Sequence, residues 1–137
     1  MGLGQRKIKI IKNKLKIKKE IIMEWFIKCI KQYADFKGRA RRKEYWMFTL
    51  FYSIFTIAAM LIDAILLEEL PIFETLFGLF ILIPSFAVEV RRLHDIGKSG
   101  WMMLIVLIPI VGAIWLIVLF CQDSEPGSNN WGDNPKE

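Results

Sequence analysis

The chain has 137 residues, 54% hydrophobic and 24% charged, with mean hydropathy +0.36 and formal net charge +5 at pH 7. That length holds one domain. So apolar a composition beside so many charges excludes an ordinary soluble core unless the two classes are segregated along the chain, and they are.

Residues 1–22, MGLGQRKIKIIKNKLKIKKEII, carry eight basic residues and one acid. Like charges in a block repel, which predicts a basic amino-terminal extension that is disordered or frayed. The next stretch, MEWFIKCIKQYADFK (residues 23–37), has a helical period. Glu24, Lys28, Lys31, Gln32 and Asp35 share one arc; Phe26, Cys29, Ile30, Tyr33 and Phe36 lie opposite, flanked by Trp25 and Ile27. An amphipathic helix is expected, either lying in the inner headgroup layer or packed on its own spans. The basic segment to residue 44 then leads into the first apolar run.

That run, Tyr45 to Ile62, has 18 residues without charge, and Trp101 to Cys121 has 21. About 20 apolar residues in a helix cross a bilayer core. Between them Pro71 to Val90 is interrupted only by Glu74 and Glu89. At 1.5 Å per residue it reaches about 30 Å, enough for a third span. The expected fold is all-α and integral to the membrane: an interfacial helix, spans at about 45–66, 71–90 and 101–121, and a polar tail, 122–137. Pro84 and Pro109 should each free a backbone carbonyl and kink a helix. The basic amino end is too broken by charge to form a signal peptide, and no cleavage site follows Arg41-Arg42 as a twin-arginine signal requires.

Fifteen of the 19 Lys and Arg precede Tyr45, none lies from Tyr45 to Val90, and Arg91, Arg92 and Lys98 follow. Basic loops stay cytoplasmic. The amino terminus is therefore expected inside, the loop with Asp63, Glu68 and Glu69 outside, RRLHDIGKSGW inside and the tail outside. Cys29 and Cys121 would then face opposite sides, with no disulfide between them.

RRLHDIGKSGW holds the chain's one histidine. Its Gly-Lys-Ser is not a phosphate loop, because Arg92 stands where the motif needs glycine. His94 and Asp95 cannot complete a metal sphere, and nothing specifies a nucleophile for them to serve. No enzyme, metal or cofactor is expected. Read as a turn, Gly97 and Gly100 supply backbone freedom, Asp95 bonds within the turn and Ser99 caps the helix that follows. Trp25, Trp46 and Trp101 are candidate interface anchors, and His94 is a candidate pH-sensitive group.

With GRARRKEYW and this turn on one face, Arg39, Arg41, Arg42, Lys43, Arg91, Arg92 and Lys98 crowd into one patch. Glu44, Glu89 and Asp95 must compensate it, or an anionic ligand must. A phospholipid-headgroup site is the specific expectation. Asp63 and Glu74 read as solvated acids near span ends; deep in a bundle they would mark a cation path. The tail's Asp123, Glu125, Asn129, Asn130 and Asp133 lack EF-hand spacing, so a solvated tail with Trp131 at the interface is expected.

Four blocks in order, MEWFIKCIKQYADFKGRARRKEYWMF, IPSFAVEVRRLHDIGKSGW, IPIVGAIWLIVLFC and GSNNWGDNP, resemble the YhaH/YhaI-type small bacterial inner-membrane proteins, the domain of unknown function 805 family. The resemblance runs from residue 23 to about residue 135. Residues 1–22 are then an extension, or translation begins at Met23. It implies a multi-pass membrane protein and brings no activity, substrate or catalytic residue. The functional expectation is a non-enzymatic membrane component that engages anionic lipid, itself or another membrane protein through its basic face. An oligomeric transporter or channel subunit and a lipid-modifying enzyme are the alternatives. Without a nucleic-acid-binding fold, the basic charge is assigned to the membrane.

Overall fold

The computed structural model describes residues 2–67 and 70–137; Glu68 and Glu69 of the expected acidic loop lie outside the described residues. The order is α1 (Leu3–Lys31), α2 (Arg42–Leu66), α3 (Ile72–Asp95), a 3-10 helix (Gly100–Leu107) and α4 (Val111–Cys121).

Helices α2 and α3 form an antiparallel pair with 25 and 24 residues, about 37 and 36 Å at the α-helical rise. Each is long and apolar enough to cross a membrane. Ile57, Leu61, Leu76, Leu79 and Leu82 point outward and are at least half exposed. A continuous apolar surface of this kind suits lipid, not water. Where α2 hands over to α3, Asp63 is buried and caps the second helix. Its Oδ1 accepts from the Phe73 N–H at 2.9 Å and its Oδ2 from the Glu74 N–H at 2.8 Å. Helix amides of the first turn lack helical partners, and this carboxylate supplies two. Asp63 is therefore not the solvated acid expected from its place at a span end.

The basic block is not a disordered tail. It is helical from Leu3 and runs without a break through Met23 to Lys31, since lysine is a good helix former. Residues 3–18 stay exposed, and the packing is done by the last turns. The Phe26 ring lies 5.6, 5.7 and 5.4 Å from those of Phe48, Phe51 and Phe55 on α2, and Cys29 is fully buried. The aromatic face thus packs on the protein's own span. The helix stops at Lys31, and residues 32–34 form a turn. There the Tyr33 hydroxyl donates to the Phe80 carbonyl at 2.6 Å. That carbonyl lost its helical partner to Pro84.

The expected span at 101–121 is not one continuous helix: residues 100–121 fold as a hairpin. The 3-10 arm has 8 residues and α4 has 11, so each covers about 16 Å, half of a ~30 Å hydrocarbon core. The reversal is a γ-turn: Ile110 has φ 64° and ψ −62°, and the Val111 N–H donates to the Pro109 carbonyl at 2.7 Å. The arms close tightly beside it, because a Cβ on Gly112 would overlap the Ile105 carbonyl. Both ends of the hairpin lie at the Asp95 end of α3. Consequently the tail shares a face with Arg39, Arg42 and Asp95 instead of standing opposite them. Cys29 and Cys121, both free thiols, also lie toward that same end.

Candidate functional site

The basic end is built where α3 outlasts its apolar stretch and stops. Ile96 and Gly97 close it as a Schellman motif, with the Lys98 N–H on the Leu93 carbonyl (2.9 Å) and the Gly97 N–H on the His94 carbonyl (3.1 Å). Gly97 takes φ 70°, the left-handed value such a cap needs. Ser99 then accepts from the Trp101 N–H at 3.3 Å, the cap expected from sequence.

Asp95, fully buried, is the hub. Its Oδ1 takes Arg39 Nε at 3.2 Å and its Oδ2 takes Arg92 Nη1 at 2.8 Å and the Ser124 hydroxyl at 2.6 Å. Most remaining donors of both guanidinium groups go to carbonyls at the end of α4 and in the tail. Arg39 reaches the carbonyls of Glu125 (2.6 Å) and Gly127 (2.7 Å). Arg92 reaches those of Phe120 (3.2 Å) and Gln122. The Glu125 N–H returns to the Asp95 carbonyl at 2.8 Å. This network pins the tail to the basic end, while most of its residues stay exposed. Burial of such ions is tolerable only when each is paired and its hydrogen bonds are filled.

A second buried carboxylate, Glu44, sits at the start of α2. Its Oε2 accepts from Lys28 Nζ at 2.6 Å, and its Oε1 from Arg91 Nη1 at 3.2 Å and Cys29 Sγ at 3.8 Å. Gln32 also accepts from Arg91. Burial and the Glu44 charge push the Cys29 thiol up to about 12, so it stays protonated.

The seven expected headgroup cations therefore divide. Arg39, Arg91 and Arg92 are buried and consumed by internal partners. Arg42, Lys43 and Lys98 are exposed, and Arg41 is half-buried. Arg41 lies 4.3 Å from the centroid of the Trp25 ring, with Lys28 and Lys43 at 5.6 and 5.9 Å. Trp25 Nε1 and Arg41 Nε have no acceptor among the described residues. Of the other expected anchors, Trp46 packs edge-on to Tyr45, while Trp101 is 80% exposed. His94, beyond the apolar stretch, stacks on Trp131 at 4.7 Å, with Nδ1 3.1 Å from the Gly38 carbonyl. Burial pulls its imidazole below the ordinary value, favouring the neutral form.

Of the three expected compensating acids, Glu44 and Asp95 are paired, and Glu89 has no partner among the described residues. Lys28, Gln32, Ser124 and the tail carbonyls were not legible as site groups. Lys28 and Gln32 stood on the polar arc of α1, and nothing in the tail marked it as a partner.

Two membrane-length helices clothed in apolar side chains, tied at one end by a buried ion cluster, define a small multi-pass membrane protein. The chain belongs to the family described as Protein of unknown function (DUF805), whose model matches residues 33–133. It is 44% identical over 118 residues to inner membrane protein YhaH of Escherichia coli (strain K12), covering 83% of this chain and 98% of that one. To inner membrane protein YhaI of the same strain it is 43% identical over 114 residues, covering 83% and 97%. No solved structure matches.

Proposed function

We propose that this protein is a non-enzymatic component of the bacterial inner membrane whose basic end faces the cytoplasm and binds anionic phospholipid headgroups. The observation that carries the reading is the gathering of Lys28, Arg41 and Lys43 around Trp25, with Arg42 exposed beside them, at the point where α2 enters its apolar run. Among the described residues Arg41, Arg42 and Lys43 have no acidic partner, because Glu44 already serves Lys28 and Arg91. Phosphate suits the arginine fork, and each juxtamembrane cation gains about 1 kcal/mol from an anionic leaflet. Tryptophan concentrates at that depth. Both termini then lie on the cytoplasmic side, following the positive charge. The non-enzymatic reading draws support from Asp95, both of whose carboxylate oxygens hold arginines and tail, and from His94, whose Nδ1 meets the Gly38 carbonyl.

Native mass spectrometry of gently extracted protein tests this. Wild type is expected to retain phosphatidylglycerol or cardiolipin, and the double variant Arg41→Gln, Lys43→Gln to lose much of it while keeping its melting temperature. Equal retention by both would sink the reading.

A further inference from the structure

Between α2 and α3 lies a cavity of about 260 Å³, lined on one side by Tyr45, Thr49 and Tyr52 and on the other by Gly78, Ser85 and Glu89. Its size approaches the lower end of the ~300–1,000 Å³ range of small-molecule sites. The one charged group of the cavity stands at one end, and hydroxyls and apolar side chains are mixed along the rest. Glu89 and Tyr45 stand near the basic end; Gly78 is eleven residues deeper along α3, about 16 Å. At Gly78 an added Cβ would meet no atom within 4 Å, so the deep end is open.

Glu89 is the unexplained group. Its neighbours along the chain, Arg91 and Arg92, turn away to Glu44 and Asp95. Among the described residues it makes no ion pair and no side-chain hydrogen bond. A carboxylate half-buried among apolar side chains without a partner is costly, and an ionisable residue in a membrane helix marks a functional site by default. One carboxylate with a few hydroxyls falls short of the six to eight oxygens that a hard divalent ion takes. It does match a single N–H-bearing cation, whose charge meets Glu89 and whose remaining donors meet hydroxyl oxygens.

We propose that this cavity binds an amphipathic monovalent amine, with its ammonium on Glu89 and its alkyl body running toward Gly78. The pairing of charge at the shallow end with open, uncharged space at the deep end selects for both parts of such a molecule. A free alkylamine and an aminophospholipid share this chemistry. The site is separate from the headgroup cations around Trp25 and stands or falls independently of them.

The test uses the full chain in a non-ionic detergent, titrated with dodecylammonium and with 1-dodecanol while binding is followed by calorimetry. Wild type is expected to bind the ammonium about tenfold or more tightly than the alcohol, the scale of one charge-assisted hydrogen bond. Glu89→Gln should erase that preference, and Gly78→Leu, which fills the deep end and leaves the charge, should weaken both probes. Native mass spectrometry with phosphatidylethanolamine then distinguishes the sources. Its loss from Glu89→Gln points to the lipid; retention unchanged beside lost alkylamine binding points to a free amine. Equal affinity of wild type for the two probes, or an ammonium preference that survives in Glu89→Gln, overturns the proposal. The former leaves only a crevice for acyl chains. Should Glu89→Gln fail to fold, the wild-type comparison and Gly78→Leu still decide.

Discussion

The two ends of the α2–α3 pair satisfy buried carboxylates in different ways. At one end Asp63 is met by two backbone amides of the next helix and needs no cation. At the other, Asp95 and Glu44 are met by Arg39, Arg91, Arg92 and Lys28, and these cations in turn hold helices and tail. The first arrangement is local and closes one connection. The second is long-range, joining residues 56 apart in the case of Arg39 and Asp95. A carboxylate at a membrane boundary can be neutralised cheaply by helix amides; ion clusters are spent where several chain segments must converge. The three buried cations of these clusters are arginines, whose forks serve a carboxylate and further acceptors at once, while Lys43 and Lys98 remain outside.

Substitutions that strip one partner from each arrangement sharpen the contrast. The largest effect is expected from Asp95→Ala, which strands Arg39 and Arg92 without a counter-charge. Breaking a buried pair costs about 3–5 kcal/mol, so unfolding in detergent should shift strongly and limited proteolysis should release residues 122–137. A stable protein with a protected tail would break the comparison. Glu44→Gln should cost less, because Lys28 is 43% exposed and can turn to water, leaving Arg91 alone stranded. Its signature is separation of α1 from α2, read as new reactivity of the buried Cys29 toward a maleimide. Asp63→Ala removes a helix cap, for which about 0.5–2 kcal/mol is usual. Hydrogen exchange should rise at Phe73 and Glu74 and stay unchanged at the basic end.

Acidification should have the smallest effect. His94 is held below its ordinary value, so the unfolded chain binds the proton more readily. Its contribution is complete above the unfolded value near 6.5 and declines as pH falls from there toward the folded value. Tail protection should weaken in that window in wild type and not in His94→Gln.

Much of this was legible in the sequence, and the rest was not for definable reasons. The first two apolar runs along the chain announced α2 and α3 because burial in lipid demands length and apolarity, both local properties. Ser99 as a cap and the aromatic stripe of α1 followed from spacing alone. The third run, although 21 residues long, is divided by Pro109 near its middle. A kink and a full reversal begin from the same local sequence there. The difference lies in Arg42 and Arg92, which hold the carbonyls at 120–122 back at the basic end from far along the chain. Charge counting likewise led to the expectation of a basic patch, yet could not tell a guanidinium already committed to Asp95 from one free to meet a ligand.

The half-depth hairpin also gives the molecule unequal girth. Along the α2–α3 pair, the end carrying Asp95 is flanked by both arms of residues 100–121, and the end carrying Asp63 by neither. The body is therefore tapered, broad at the ion cluster and narrow at the Asp63 cap, and the γ-turn at Ile110 marks where its girth changes.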